Sequence, residues 1–185
     1  MGKSTWVAEY VKMYYSIFPK NEIRLFSRVK NDPKDALYPL IQDEIIDQVE
    51  LDSKIYENPI QLSDLKDTLV IFDDIENIED PDIAHAIRKL QNDILHLGRH
   101  DNTYCLSTSH LGMDKDATKV LLNEAQSLVL YPMGGNPRMV RNILKIYCGL
   151  DREQTEKIMK SRSRWVFINK SYPMYCINEK KIYLL

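Results

Sequence analysis

The segment Leu69-Val-Ile-Phe-Asp73-Asp74-Ile-Glu76 constrains the fold more than any other stretch of this chain. Residues 69–75 form a nearly continuous apolar run, punctuated only by the two aspartates. It is too short for a core helix and lacks the alternation of a half-exposed strand. Such a run is expected of a strand buried on both faces, which is the position of a parallel strand between layers of helix. The acids fall at its carboxyl end, where open α/β sheets place their ligands. Taken alone, a strand end running into a solvated acidic turn explains the pattern equally well.

The rest of the chain alternates between strand-like and helix-like periodicity, the pattern of an α/β sheet with crossover helices. Residues 4–18 place Val7, Tyr10, Val11, Tyr14 and Ile17 on one helical face, ended by Pro19. A short strand follows at 23–29. Residues 31–61 are polar and hold Pro33, Pro39 and Pro59, so short helices and loops are expected. Ile83, Ile87, Leu90, Ile94 and Leu97 recur at helical spacing. Short strands are expected at 103–109 and 127–131, with a helix around 115–124 between them. The last third carries helices at 137–147 and 152–162, the second opened by Asp151 with Gln154 three residues on, a capping pair. The β-rich runs at 164–169, 174–178 and 181–185 suggest an antiparallel hairpin appendage. One domain is expected over 1–185, with a core at 1–135 and a helical and β-hairpin extension at 136–185.

Composition narrows the function classes. A chain of 185 residues with 44% hydrophobic and 28% charged content suits one well-filled globular domain. Its formal charge of −2 provides no bulk electrostatic grip on nucleic acid, so any contact with DNA must be local or shared among subunits. No run approaches the apolar length of a membrane helix. Cys105, Cys148 and Cys176 are odd in number and scattered, which fits reduced, buried thiols in a cytosol-like compartment.

At the amino end stand Gly2, Lys3, Ser4 and Thr5, directly before a helix. Gly-Lys-Ser/Thr opening a helix is the second half of a phosphate-binding loop, in which backbone N–H groups and the helix dipole hold phosphates. Lys3 would reach the terminal phosphates and the Ser4 hydroxyl would ligate Mg²⁺. A short polar helix cap is the plainer alternative. Nothing before Gly2 supplies the strand and first glycine of the full motif, and an amino-terminal truncation is expected on that ground. Combined with the acidic strand, the four residues point to a two-part site for ATP and Mg²⁺. Asp73 would hold the metal shell, Asp74 would polarise the attacking water, and Glu76 is the fallback base.

In this order and spacing the motifs resemble the FtsK/HerA-type genome-packaging ATPases of large DNA viruses, the poxvirus-like branch included. The resemblance runs through GKST, the strand Ile23-Arg-Leu-Phe-Ser, LVIFDDIE and Leu97-Gly-Arg-His100. It continues through Tyr104-Cys-Leu-Ser-Thr-Ser-His110 and the closing Arg164-Trp-Val-Phe-Ile and Pro173-Met-Tyr hairpin. It implies a RecA-like P-loop NTPase sheet with its first strand missing, a homo-oligomeric ring, and ATP-driven pumping of double-stranded DNA into a capsid. Capsid or portal-type proteins become possible partners, and the host cytoplasm or virion the location. Arg99 matches the candidate arginine finger, acting in a neighbouring subunit's site to neutralise charge on the transferred phosphoryl group. A surface arginine favoured at a helix carboxyl end accounts for it as well. Ser109 and His110 stand where relatives carry a glutamine phosphate sensor, and loop solvation explains that polar pair too.

Other features carry less. His96 and His100 lack the companions a metal site needs. The aromatics Trp165, Phe167, Tyr172, Tyr175 and Tyr183 alternate as packing residues do, although base stacking uses the same residue types. Lys157, Lys160, Arg162 and Arg164 form a basic stretch open to three readings: DNA-facing, subunit-facing, or a solvated helix face. Two rivals to the motor are a small-molecule P-loop kinase, which the lack of an Arg-rich lid disfavours, and a fragment or motor-like interaction module that no longer binds ATP.

Overall fold

The computed structural model describes residues 2–29, 32–110, 115–134 and 136–185, and at 115–117 the backbone alone. The chain divides into two compact units, residues 1–118 and 119–185.

The first unit is a four-stranded, all-parallel sheet flanked by helices, so the expected α/β class holds. Its strands are β1 (Glu22–Ser27), β2 (Asp47–Gln48), β3 (Thr68–Asp73) and β4 (Tyr104–Thr108), in the order β2-β1-β3-β4. β3 is buried at all six positions, as a strand between two neighbours and two helical layers must be. Its register sets Ser27 opposite Asp73 on one side and Thr108 opposite Asp73 on the other.

Alternate residues of the inner strands feed two cores. Ile23, Leu25, Leu69 and Ile71 pack with Val7, Ala8, Val11 and Tyr14 of α1 (Lys3–Ile17) and with Leu40 of α2 (Tyr38–Gln42). Phe26, Val70 and Phe72 pack on the opposite face with Ile55 of α3 (Lys54–Glu57) and with Ile83, Ile87, Leu90 and Ile94 of α4 (Pro81–Leu97). Phe26 and Phe72 stack with centroids 5.3 Å apart. Two residues expected on helical core faces lie outside them: Ile17 is 61% exposed and Leu97 51%. Each is the last residue of its helix.

α4 is the crossover between β3 and β4. Asp80 caps it by accepting from the Asp82 and Ile83 N–H groups at 2.9 and 3.1 Å, with Pro81 in the first turn. It ends at Gly98, whose carbonyl accepts from the N–H groups of Asp101 and Thr103. A Cβ on Gly98 would meet the Thr103 carbonyl oxygen at 2.9 Å. This contact leaves no room for a side chain where the helix turns into β4.

The second unit contains the carboxyl end of α5 (Lys115–Glu124), then β5 (Ser127–Leu130), α6 (Pro137–Asn142), α7 (Arg152–Lys160), β6 (Val166–Asn169), β7 (Tyr175–Asn178) and β8 (Ile182–Leu184). Its strands form a separate antiparallel sheet, β5-β6-β7-β8. The expected capping pair forms: Asp151 accepts from the Gln154 N–H at 2.8 Å, and Gln154 accepts from the Asp151 N–H at 3.0 Å. Two expectations are corrected here. The strand expected at 127–131 is β5, which pairs antiparallel with β6, Leu128 opposite Ile168, and belongs to the unit of residues 119–185 rather than to a core ending at 135. The anticipated hairpin is thereby a four-stranded sheet.

Among the described residues no helix is long and apolar enough to cross a membrane. The three cysteines are unpaired, and burial pushes the Cys105 thiol up to about 12 and those of Cys148 and Cys176 to about 11.

Gly98→Ala forces the new methyl against backbone that cannot move away. It is expected to cost about 1–3 kcal/mol of unfolding free energy, as overpacking does, visible as a lower urea midpoint. An unchanged midpoint would show that the turn is slack.

Candidate active site

The carboxyl ends of β3 and β4 and the amino end of α1 bring together residues far apart in the chain. Gly2 has φ 125°, a left-handed conformation that glycine adopts without penalty, and it leads straight into Lys3. Gly2, at the N-cap, has no side chain with which to cap the first turn of α1, and that turn carries no acid. The positive end of the helix dipole there is not neutralised from within the helix.

Lys3 donates from Nζ to Asp74 Oδ1 at 3.0 Å, across 71 positions of sequence. The other carboxylate oxygen of Asp74 lies 3.3 Å from His110 Nε2. Asp74 itself has φ 48° and ψ 40°, so the backbone swings out of β3 at this residue and presents the carboxylate to both partners. A non-glycine residue held in this region stores strain of roughly 1 kcal/mol or more, which persists where the surroundings dictate it.

Asp73 is only 6% exposed and is held by Thr108, whose hydroxyl donates to Asp73 Oδ1 at 2.6 Å. The same hydroxyl accepts from the Asp74 N–H at 3.2 Å. Thr108 therefore positions both acids at once. Burial pushes the Asp73 carboxyl above its ordinary value, and the neighbouring Asp74 and Asp35 carboxylates add to this. The Thr108 hydrogen bond and the Lys3 ammonium pull it back. A carboxylate in this state gains from a cation.

Ser4 and Thr5 lie beside Lys3 in the first turn of α1, Ser4 half-buried and Thr5 exposed. Glu76 follows on a 3₁₀ turn (Ile75–Asn77), and its Oε2 is buried with no hydrogen-bond partner among the described residues. Such an oxygen calls for a donor, water included. Ser109 is half-buried at the end of β4. Of the two sensor candidates, His110 is the one that reaches the acids.

Arg99 is not brought to this cluster within its own chain. It sits on a 3₁₀ turn (Gly98–His100) before β4, and the Asp67 N–H donates to the Asp101 carbonyl at 2.9 Å, fastening that loop to the amino end of β3. The cluster occupies the opposite ends of these strands.

Thr108 escaped the sequence reading, although a signal was present. Once Leu69 is set against Tyr104 in a parallel pair, counting places Thr108 opposite Asp73. Among the described residues no group of three or more His, Cys, Asp or Glu side chains could hold a metal unaided.

Fold and site together define an α/β protein of the parallel-sheet class, with a lysine at a helix amino end set against paired acids at the strand ends. Over 180 residues the chain is 37% identical to "Uncharacterized protein V3" of Sputnik virophage, a match covering 96% of this chain and 70% of that protein. The chain belongs to the family of this virophage protein. No family model and no solved structure matches it.

Replacing Asp73 by Asn removes a charge that the fold disfavours. Because the folded carboxyl is raised, the contribution of Asp73 to stability is fully present below the unfolded value of about 3.9 and is lost as pH rises through the folded value. Asp73→Asn is therefore expected to unfold at higher urea than the unchanged protein at pH 7, with the gap closing toward pH 4. A gap that stays constant with pH would rule out a charge penalty at Asp73.

Proposed function

We propose that this protein is an ATP-hydrolysing motor subunit that translocates double-stranded DNA, in the packaging of a viral genome into capsids. The observation that carries this reading is the meeting of Lys3 with Asp74, beside buried Asp73, at the carboxyl ends of parallel strands. The four-stranded parallel sheet with helices on both faces is compatible with a RecA-like core. A relative from a virophage is in keeping with a viral setting.

The residues present suit ATP and Mg²⁺. Lys3 and the N–H groups that open α1 bind the phosphates, with Gly2 letting the backbone approach and Thr5 flanking them. Ser4 and Asp73 hold the metal. When bound, Mg²⁺ neutralises charge that develops on the phosphate oxygens. Asp74 orients the attacking water and accepts its proton, and Glu76, with an unsatisfied oxygen two residues on, is the second candidate for that task. Lys3 must leave Asp74 to engage phosphate, so nucleotide binding frees the carboxylate it needs. Ser109 and His110 sense the terminal phosphate from the end of β4. Arg99 acts across the interface of a homo-oligomeric ring.

Asp74→Asn is expected to lower ATP turnover by at least ~100-fold, as loss of a general base does, while nucleotide binding persists. Normal turnover in that variant together with loss in Glu76→Gln would move the base to Glu76. Failure of the folded protein to bind ATP would leave a motor-like interaction module instead. For Arg99, rings of Arg99→Ala subunits should hydrolyse slowly, and mixing them with equally inactive Lys3→Ala subunits should restore part of the activity. Absence of rescue in mixed rings would argue against a finger acting in trans.

A further inference from the structure

The net charge of −2 conceals a strong polarity between the units. Residues 1–118 hold thirteen Lys and Arg against twenty-two Asp and Glu, a formal charge of −9. Residues 119–185 hold twelve against five, a formal charge of +7. The second unit is therefore a basic module of 67 residues, and two of its cations hold hydrogen bonds inside it.

Arg141 pairs with Glu156 at 2.8 Å. Lys170 donates to the Leu122 and Asn123 carbonyls at 2.7 and 3.1 Å, closing the end of α5. Six further cations, of which Lys157 and Arg164 also have partners of their own, gather at one end of the antiparallel sheet. The register sets Val166 opposite Asn178 and Ile177 opposite Ile182, so the α7–β6 turn and the β7–β8 turn share an edge. Glu179 ties the two together: its Oε2 accepts from Ser163 Oγ at 3.0 Å and from the Arg164 N–H at 3.2 Å. The one acid in these turns is thus spent on holding them in place. Asn178 Oδ1 accepts from both the Lys180 and Lys181 N–H groups at 2.9 Å. Lys157 Nζ lies 4.9 Å from the centre of the Tyr183 ring on β8, which brings the end of α7 to the same side. Arg162 is held at φ 50°, a conformation an arginine adopts only when the turn dictates it. Lys157, Lys160, Arg162, Arg164, Lys180 and Lys181 are all exposed.

We infer that this edge of the second unit is a docking surface for the sugar-phosphate backbone of duplex DNA. The choice of DNA as the polyanion rests on the motor function proposed above; the surface rests on charge and hydrogen bonding within this unit. A protein partner, such as the acidic first unit of another copy, fits less well. Protein interfaces close around an apolar core, whereas residues 161–164 and 179–181 expose no apolar side chain, and exposed Ile182 and Leu184 lie beyond them on β8. A wet, strongly positive surface matches phosphate. Lysine and arginine contacts to phosphate carry no base information, so binding is independent of sequence. This surface assembles cations from α7 and two turns, while the acidic unit houses the nucleotide site, so grip and chemistry occupy different units.

The test measures anisotropy of a labelled duplex of about 20 base pairs titrated with the full chain at several salt concentrations. The steepness of the salt dependence counts neutralised phosphates at about 0.9 per contact. The triple variant Arg162→Gln, Lys180→Gln, Lys181→Gln is expected to bind on the order of a hundredfold more weakly at ~0.1 M salt, with a log–log slope reduced by about 3. Its ATP affinity should be unchanged. The double variant Lys157→Gln, Lys160→Gln on α7 should reduce the slope by about 2 and provides the answer if the triple variant fails to fold. Unaltered duplex binding in the folded variants overturns the inference, as does a chain that binds no duplex at all. So does loss of self-association in the variants with duplex binding intact, which would assign the edge to a second copy. Loss of duplex binding in a protein that never binds ATP would sustain this surface and sink the motor proposal alone.

Discussion

β3 pairs in parallel with β1 on one side and β4 on the other while helices cover both its faces, and the rest of the first unit follows from that confinement. A strand with no exposed residue must carry apolar side chains along its length, yet its last position is Asp73. Burial of that carboxylate is tolerated because the parallel register delivers Thr108 to its side, at 2.6 Å. The chain then leaves the strand through the left-handed Asp74, which turns the second acid toward α1 and His110. Two adjacent aspartates acquire different surroundings within a single residue step: one dry and hydrogen-bonded to a hydroxyl, the other paired and half-open.

The Lys3–Asp74 pair is structurally informative but energetically minor. Its side chains are 29% and 33% exposed, and ion pairs near the surface contribute at most about 1 kcal/mol. Under the proposed function, a polyphosphate offering several charge-assisted hydrogen bonds, each worth roughly 1.5–3 kcal/mol, would outcompete a single carboxylate for the lysine. The contact therefore keeps the cluster assembled without locking it, and an arriving anion displaces one bond rather than a buried network. Asp73 has the opposite character: its partner is neutral, its exposure is small, and its charge lacks a full counterion, so it gains most from a cation.

Much of the fold was legible because its cause is local. The apolar run at 69–75, the helical spacing of Ile83 through Ile94, and the Asp151–Gln154 cap each act over a few residues, and each appears where periodicity or capping chemistry puts it. Lys3, Asp73 and Asp74 stood out as charged residues at a helix start and a strand end, and the fold sets them together. Thr108 did not stand out, because a threonine in a strand ordinarily signals only β-propensity, and its role arises from which residue of β3 it faces. The partner of β5 was equally hidden: an apolar strand of four residues can add to any sheet edge, and its sequence does not say whether the neighbour runs parallel or antiparallel. The basic edge of the second unit was half visible as the run from Lys157 to Arg164. Lys180 and Lys181 join it only through the hairpin and the Glu179 bridge.

By itself, the amino-acid sequence determined the elements, their order, and the chemical vocabulary of the site, since hydrophobic periodicity and capping are properties of neighbours along the chain. Tertiary structure alone decided which of those groups meet. Register brought Thr108 to Asp73, a left-handed turn brought Asp74 to Lys3 and His110, and strand direction placed Arg99 at the far end of the sheet. Contacts between residues many positions apart depend on the pairing of strands and the closing of cores, and no window of sequence contains both partners.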